Sequence, residues 1–325
     1  MKAYRLHRYG SVDHLQLTDV EQPTPAADEV LIKVKATAIN DWDWGLVNGS
    51  PFYIRLFSGL LKPRIEIIGV DISGEVVAVG ERVTTLQPGD PVYGDLSSCG
   101  FGGFAEWVCA PEAELTLKPD NLSHVQAAAI PHAAALAWQS LSQLAGLRAG
   151  QRLLVNGAGG GVGALAVQMA RLMGVDQVVG VDSADKAETM QAAGYSRTID
   201  YREHDFTRLN DRYDVILDTK TNRPPRAYLR ALKQGGVYVT VGGQSRRLIQ
   251  LLLAAPLLRR ITGKRLRILG LQPNQGLNTI TPWLESGELM PVIDGPYPWS
   301  ELPDALRRFG AGRHQGKVVI AVDTQ

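Results

Sequence analysis

From the first residue to about position 120, short β-branched runs such as Val30-Leu31-Ile32-Lys33-Val34 and Gly74-Glu75-Val76-Val77-Ala78-Val79 are separated by turn residues. The punctuation is Gln22-Pro23, Pro25, Pro88-Gly89-Asp90 and Gly102-Gly103. That pattern predicts an all-β region. Near residue 124 the texture changes: Val125 to Ala145 is rich in alanine and leucine and lacks strand alternation, which predicts helix interrupted around Pro131. From Gln151 onward, apolar runs alternate with helically spaced segments. Leu153-Leu154-Val155 is followed by helical spacing from Gly163 to Met173 and by Val178-Val179-Gly180-Val181. Further strand-like runs are Val215-Ile216-Leu217, Val237 to Val241 and Leu266-Arg267-Ile268-Leu269. Strands that alternate with helices predict a parallel sheet covered on both faces. The last forty residues are irregular and proline-rich and end on a strand, Lys317 to Val322, which is expected to rejoin the first region.

The length of 325 residues suits about two domains, and 45% hydrophobic with 21% charged residues is globular composition. Thirty-four basic residues face thirty-three acidic ones, so no electrostatic footprint for nucleic acid is expected. Two cysteines, Cys99 and Cys109, cannot build a disulfide framework or a cysteine-rich metal site. With the apolar core of a signal peptide missing after Met1-Lys2-Ala3-Tyr4-Arg5, the expectation is a cytoplasmic protein. One apolar run needs a separate reading. Leu248 to Leu258 falls far short of the roughly 20 residues that span a bilayer, contains Pro256 and is flanked by Arg246, Arg247, Arg259 and Arg260. It reads as a buried or lid-like helix, with attachment to a membrane surface or a partner as the alternative.

The chemistry concentrates in Leu153-Leu154-Val155-Asn156-Gly157-Ala158-Gly159-Gly160-Gly161-Val162-Gly163. Ala158, Gly160 and Gly163 stand in the spacing that follows a strand and opens a helix. Small residues there let the backbone turn tightly, approach a pyrophosphate and pack the helix on the strand, while the helix N-terminus faces the phosphate charge. Nineteen residues after Gly163, at the end of the second strand, stands Asp182, placed to accept hydrogen bonds from an adenosine ribose. Dinucleotide binding is the expectation.

A Rossmann-type domain between an N-terminal β region and a C-terminal return narrows the field further. Ile68-Gly69-Val70-Asp71-Ile72-Ser73-Gly74-Glu75-Val76-Val77-Ala78-Val79-Gly80, Gln87-Pro88-Gly89-Asp90-Pro91-Val92-Tyr93-Gly94 and Gly102-Gly103-Phe104-Ala105-Glu106-Trp107-Val108 carry a family likeness. So do Ala127-Ala128-Ala129-Ile130-Pro131, the glycine cluster, Ile199-Asp200-Tyr201, Gly235-Gly236 and Gly316-Lys317-Val318-Val319-Ile320. Together, in this order, they resemble the medium-chain dehydrogenase/reductase superfamily in its zinc-independent, quinone-oxidoreductase-like branch. The resemblance implies an α/β protein. A GroES-like, β-rich catalytic domain would span 1–122 and 285–325, and a doubly wound, parallel-sheet Rossmann domain 123–284. NAD(P)H would be the cofactor and a quinone or enone the substrate. It extends the cofactor site beyond the glycine cluster (Gly157, Ala158, Gly160, Gly161, Val162, Gly163) to Ser183, Lys186, Tyr201, Thr219, Gly242, Gly243, Pro273, Asn274 and Lys317.

Zinc members of the superfamily bind their catalytic metal through a cysteine, a His-Glu pair and a further Cys or His. Asn40 stands at the place of that cysteine, and Val70 with Asp71 at the place of the pair. Neutral Asn and Val cannot replace the water shell of zinc, and the six histidines form no i, i+4 pair, so a metal-free site is expected. Without a Lewis acid, reduction of a conjugated system is more feasible than alcohol oxidation, because the developing oxyanion needs only hydrogen-bond donors. By resemblance Asn40 is the candidate donor near the nicotinamide and Tyr53 the candidate proton donor. Departures from the family pattern are Asp41 in place of proline, Leu136 in place of a cofactor-touching threonine, and a two-position offset at Tyr53. His132 reads as a satisfied core histidine.

Two other readings stay open: a non-catalytic dinucleotide-binding sensor or regulator, and an alcohol dehydrogenase-like enzyme. In Val181-Asp182-Ser183-Ala184-Asp185-Lys186 two carboxylates flank the expected 2′ position against one cation. A carboxylate about 4 Å from a 2′-phosphate repels it by several kcal/mol at an intermediate dielectric, so NADH is slightly favoured over NADPH. An edge strand at Leu266 to Leu271 would suit pairing with a second copy, and a homodimer is expected.

Overall fold

Seven strands precede the texture change: β1 (Lys2–Leu6), β2 (Leu15–Asp19), β3 (Glu29–Ala38), β4 (Asp71–Val79), β5 (Pro91–Asp95), β6 (Trp107–Pro111) and β7 (Thr116–Leu117). Six follow it: β8 (Arg152–Asn156), β9 (Gln177–Asp182), β10 (Arg197–Asp200), β11 (Tyr213–Asp218), β12 (Leu232–Thr240) and β13 (Arg265–Ile268). The tail adds β14 (Ile293–Pro298) and β15 (Lys317–Ala321). The computed structural model describes residues 1–322. It groups the chain into two units, one made of Met1–His132, Pro273–Gly287 and the segment from Ile293, the other of Ala133–Gln272 with Glu288–Val292.

In the first unit β1 and β2 form a ribbon, and the main sheet runs β14-β15-β3-β4-β5-β7, with β6 paired to β3. All neighbours are antiparallel except β14 and β15. The tail therefore rejoins the β region as expected: Val319 of β15 lies opposite Ala38 of β3. Across β3 the same register sets Ala38 opposite Asp71, the first residue of β4. The ends of three strands distant in sequence thus converge beside Asn40. Residues 124–132 also belong to this unit. Val125, Ala128 and Ala129 pack on Ala36, Ala38 and Val319, small side chains that let a helix lie close on the sheet.

In the second unit the order is β10-β9-β8-β11-β12-β13, every neighbour parallel. Leu153, Leu154 and Val155 are fully buried, as strands covered on both faces require. The order reverses between β8 and β11. At such a switch point neighbouring connections leave toward opposite faces and open a crevice at the strands' carboxyl ends. Helices fall at His124–Ala128, Pro131–Trp138 and Gly161–Leu172, and a π-helical turn continues the second over Gln139–Ala145. Among the described residues no helix is long and apolar enough to cross a membrane.

Candidate active site

At the end of β8 the chain turns at Gly157, whose φ of +90° is open to glycine and strained for other residues. A Cβ there would come within 2.0 Å of the Thr219 hydroxyl, so Thr219 packs directly on the turn. The N–H groups of Gly157 and Ala158 both donate to the Val181 carbonyl, which ties the turn to β9. Gly163 lies against the backbone of Ala158, and a Cβ would approach the Ala158 carbonyl oxygen to 2.4 Å. The helix Gly161–Leu172 therefore seats on the turn at glycine distance. Its N-cap, Gly160, has no side chain to satisfy the first N–H groups, so Gly161, Val162 and Gly163 open a helix terminus that favours an anion.

The Asp182 side chain closes the same turn. Its Oδ2 accepts from Gly159 N–H at 3.0 Å and its Oδ1 from Ser183 N–H at 2.9 Å. Lys186 Nζ lies 3.4 Å from Oδ1, with its stem over Gly159. Ser183 and Lys186 are buried. Farther out, Asp185 pairs with Arg202 at 3.3 Å, and that guanidinium lies over the half-exposed ring of Tyr201. At the end of β11, buried Asp218 accepts from Asn156 Nδ2 and from the Tyr238 hydroxyl, both at 2.8 Å. Burial raises the pKa of the Asp218 carboxyl above its usual value. Beyond β12, Gly243 has φ +138° and lies against Thr221, whereas a Cβ on Gly242 would meet only the Thr219 carbonyl at 4.0 Å. Gly157 to Gly163, Asp182, Ser183, Lys186, Thr219, Gly242 and Gly243 thus gather at the carboxyl ends of the strands beside the switch point. A turn of this shape, with an anion-ready helix end and a carboxylate one strand away, fits a dinucleotide.

The first unit holds a second polar centre. Asn40, Asp43, Asp71, Asp95, His132 and Lys317 are all buried there. Lys317 Nζ contacts Asp71 Oδ2 at 2.7 Å and donates to Asn40 Oδ1. The Asn40 amide donates to Asp71 Oδ2 at 3.0 Å and, more loosely, to the Ala38 carbonyl at 3.3 Å. Asp71 Oδ1 accepts from the backbone N–H of His132, whose ring contacts Asp95 Oδ2 at 2.7 Å. Burial alone would push the His132 imidazole down, but the hydrogen bond and charge of Asp95 hold it above its ordinary value. The Asp95 carboxyl is held down in turn: its burial is outweighed by His132 and Ser97. Asp43, at the third position of the helix Asp41–Asn48, accepts from the N–H groups of Asn40 and Gly69. Burial drives its carboxyl up to about 7.

The Lys317 ammonium thus lies between Asp71 and Asn40. Among the described residues no group of three or more His, Cys, Asp and Glu could hold a metal. Asn274 is committed within its unit as well, bonding the backbone of Asp95 and the Glu114 carboxylate. Tyr53 is half-exposed at the start of the short helix Tyr53–Ser58, amid exposed Phe52, Leu56, Phe57, Leu60 and Leu61. Sequence reading missed this apolar stretch, whose signal was the run Phe52 to Leu61. It missed the Asp71–Lys317 pair altogether, because no local pattern announces it.

Two family models match, "Alcohol dehydrogenase GroES-like domain" over residues 26–120 and "Zinc-binding dehydrogenase" over 193–320. The chain is 34% identical to a 2-methylene-furan-3-one reductase of Solanum lycopersicum, covering 98% of this chain and 79% of that protein. It is 32% identical to a chloroplastic NADPH-dependent alkenal/one oxidoreductase of Arabidopsis thaliana, with the same coverage. Among solved structures, the quinone oxidoreductase of Coxiella burnetii superposes with a TM-score of 0.86 at 28% identity, over 99% of each chain.

Proposed function

The chain belongs to the medium-chain dehydrogenase/reductase superfamily as a quinone-oxidoreductase-like member, and we propose that it reduces quinones or activated carbon–carbon double bonds without zinc. The observation that carries this reading is the glycine turn with Asp182 at the sheet's switch point. The glycine turn Gly157 to Gly163 and Asp182 would hold a nicotinamide dinucleotide, which would supply hydride chemistry for the electron-poor carbon of the substrate. The chain's own residues then stabilise the oxygen that gains charge and deliver one proton. We assign the proton to Tyr53, whose phenol is accessible and whose neighbours offer an apolar bed. Asn40 has both amide hydrogens engaged, and the 3.3 Å bond to Ala38 is the weaker. Giving that bond up frees one donor for the substrate oxygen while Lys317 and Asp71 keep the amide oriented. Zinc is disfavoured by chemistry: a lysine ammonium lies against the two groups that would face the metal.

For the cofactor we propose that NADH binds at least as tightly as NADPH. Lys186, whose stem lies over Gly159, is already matched by Asp182, so a 2′-phosphate would meet an existing carboxylate and a spent lysine. Arg202 is likewise matched by a second carboxylate, Asp185, which would also face an added phosphate. We further propose a homodimer through the edge strand β13, and residence in a reducing compartment such as the cytoplasm, consistent with the free thiols of Cys99 and Cys109.

Oxidation of NADH and NADPH against a panel of quinones, enones and alkenals tests the reading, with saturated ketones and alcohols as controls and a chelator in parallel. Turnover of the conjugated acceptors, untouched by the chelator, is expected. Turnover of alcohols alone, or its loss on chelation, would favour an alcohol dehydrogenase-like enzyme. Binding without any turnover would favour a sensor.

A further inference from the structure

We propose that the outer face of the helix Ser245–Thr262 docks on a membrane surface that carries anionic phospholipid headgroups. The helix has two apolar stripes. Leu251, Ala255 and Leu258 face inward and pack against the core of the second unit. On the other side Ile249, Leu253, Leu257 and Ile261 follow at four-residue steps with Leu252 beside them, each between 58% and 76% exposed. The inward stripe already attaches the helix to the sheet, so the outward one is not needed for folding. Singly scattered exposed leucines need no explanation; five on one helix face do.

Charge identifies what covers that face. Arg246 and Arg247 begin the helix, and Arg259 and Arg260 end it. None of these four makes a salt bridge among the described residues, although Arg247 donates to Gln250 within the helix. In a chain whose charges otherwise balance, residues 219–284 hold twelve Lys and Arg and no Asp or Glu. Cations in the first turn oppose the helix dipole, so the helix itself gains nothing from Arg246 and Arg247. A second copy of the chain is a poor occupant of this helix face, whether or not the edge strand β13 pairs with one. A two-fold contact sets the same patch against itself, and here arginine would meet arginine. An apolar stripe bracketed by arginines is the layout of a helix that lies in the plane of an interface, with apolar side chains at the acyl boundary and guanidinium groups at lipid phosphates.

The full chain is to be sedimented with vesicles of phosphatidylcholine alone and of phosphatidylcholine mixed with phosphatidylglycerol. Light scattering and cofactor binding are followed alongside. Preferential binding to the mixed vesicles, weakened by salt, is expected. Arg259→Gln and Arg260→Gln should each lower the partition about fivefold. Leu253→Glu with Leu257→Glu should abolish it while leaving the molar mass unchanged. Failure to bind the mixed vesicles, equal binding to both kinds, or a smaller molar mass in the double glutamate variant would overturn the proposal; the last result would mean that the face meets a second copy. If the glutamate variant fails to fold, the arginine variants and the salt series decide alone.

Discussion

Asp43 offers a direct test of the buried centre in the first unit. Its side chain has no exposure, and burial drives the carboxyl from its usual 3.8 up to about 7 despite hydrogen bonds from the N–H groups of Asn40 and Gly69. Lys317 and His132 pull the value down and Asp71 pushes it up, but desolvation is the largest influence. A raised carboxyl makes the fold prefer the protonated form. Its contribution to stability is whole below the unfolded value and drains away as pH rises to the folded one, then stays lost. A tenfold change in proton affinity is worth about 1.4 kcal/mol, so between pH 5.5 and pH 8.5 only the climb to about 7 counts, roughly 2 kcal/mol. Asp43→Asn keeps the shape and removes the titration. The amide turns one hydrogen-bond acceptor into a donor facing an N–H, a cost of about 1–3 kcal/mol that is the same at both pH values and cancels in the difference. Urea unfolding of both proteins at the two pH values, followed by tryptophan fluorescence, reads the effect. Five of the six tryptophans (42, 44, 107, 283 and 299) lie in the first unit. The variant should gain about 2 kcal/mol on wild type from the lower pH to the higher. An unchanged difference, or a gain by wild type, would mean that Asp43 is ionised throughout and that its two N–H donors outweigh its burial.

Three further outcomes follow from the same arrangement. Tyr53→Phe should lower kcat about a hundredfold with little change in KM if the phenol delivers the proton, whereas a rise in KM alone would reduce it to lining the substrate. Asp182→Ala should improve NADPH binding relative to NADH by about tenfold or more, since it removes a carboxylate and releases Lys186; titration of both cofactors by fluorescence quenching checks it, and an equal loss for both would show that Asp182 serves only to close the turn. Light scattering at micromolar concentration should give about twice the chain mass of 35.3 kDa, and a monomer mass would count against pairing through β13.

The parts of the site that could be read in advance are those whose physics is local. Gly157, Ala158, Gly160 and Gly163 act through backbone freedom and close approach within one turn, so their spacing carries the geometry, and Asp182 follows because a strand and a helix fix its distance along the chain. What Asp182 does with its oxygens is not local in that sense. Its bonds to Gly159 and Lys186 depend on how two adjacent loops share the space above β8 and β9. The first unit's centre lies at the far end of this scale. Asn40 and Lys317 are 277 positions apart, and they meet because β15 pairs with β3 in a register set by apolar side chains that have no part in the chemistry. No local pattern around Lys317, named among the cofactor residues by resemblance, announces its burial against Asp71. The helix Ser245–Thr262 shows the converse limit. Its periodicity gives two apolar stripes, and only the packed sheet decides that Leu251 turns inward and Leu253 outward. A hydrophobic pattern states how much surface a segment wants covered; which part stays open is fixed by elements elsewhere in the chain, and function draws on what they leave uncovered.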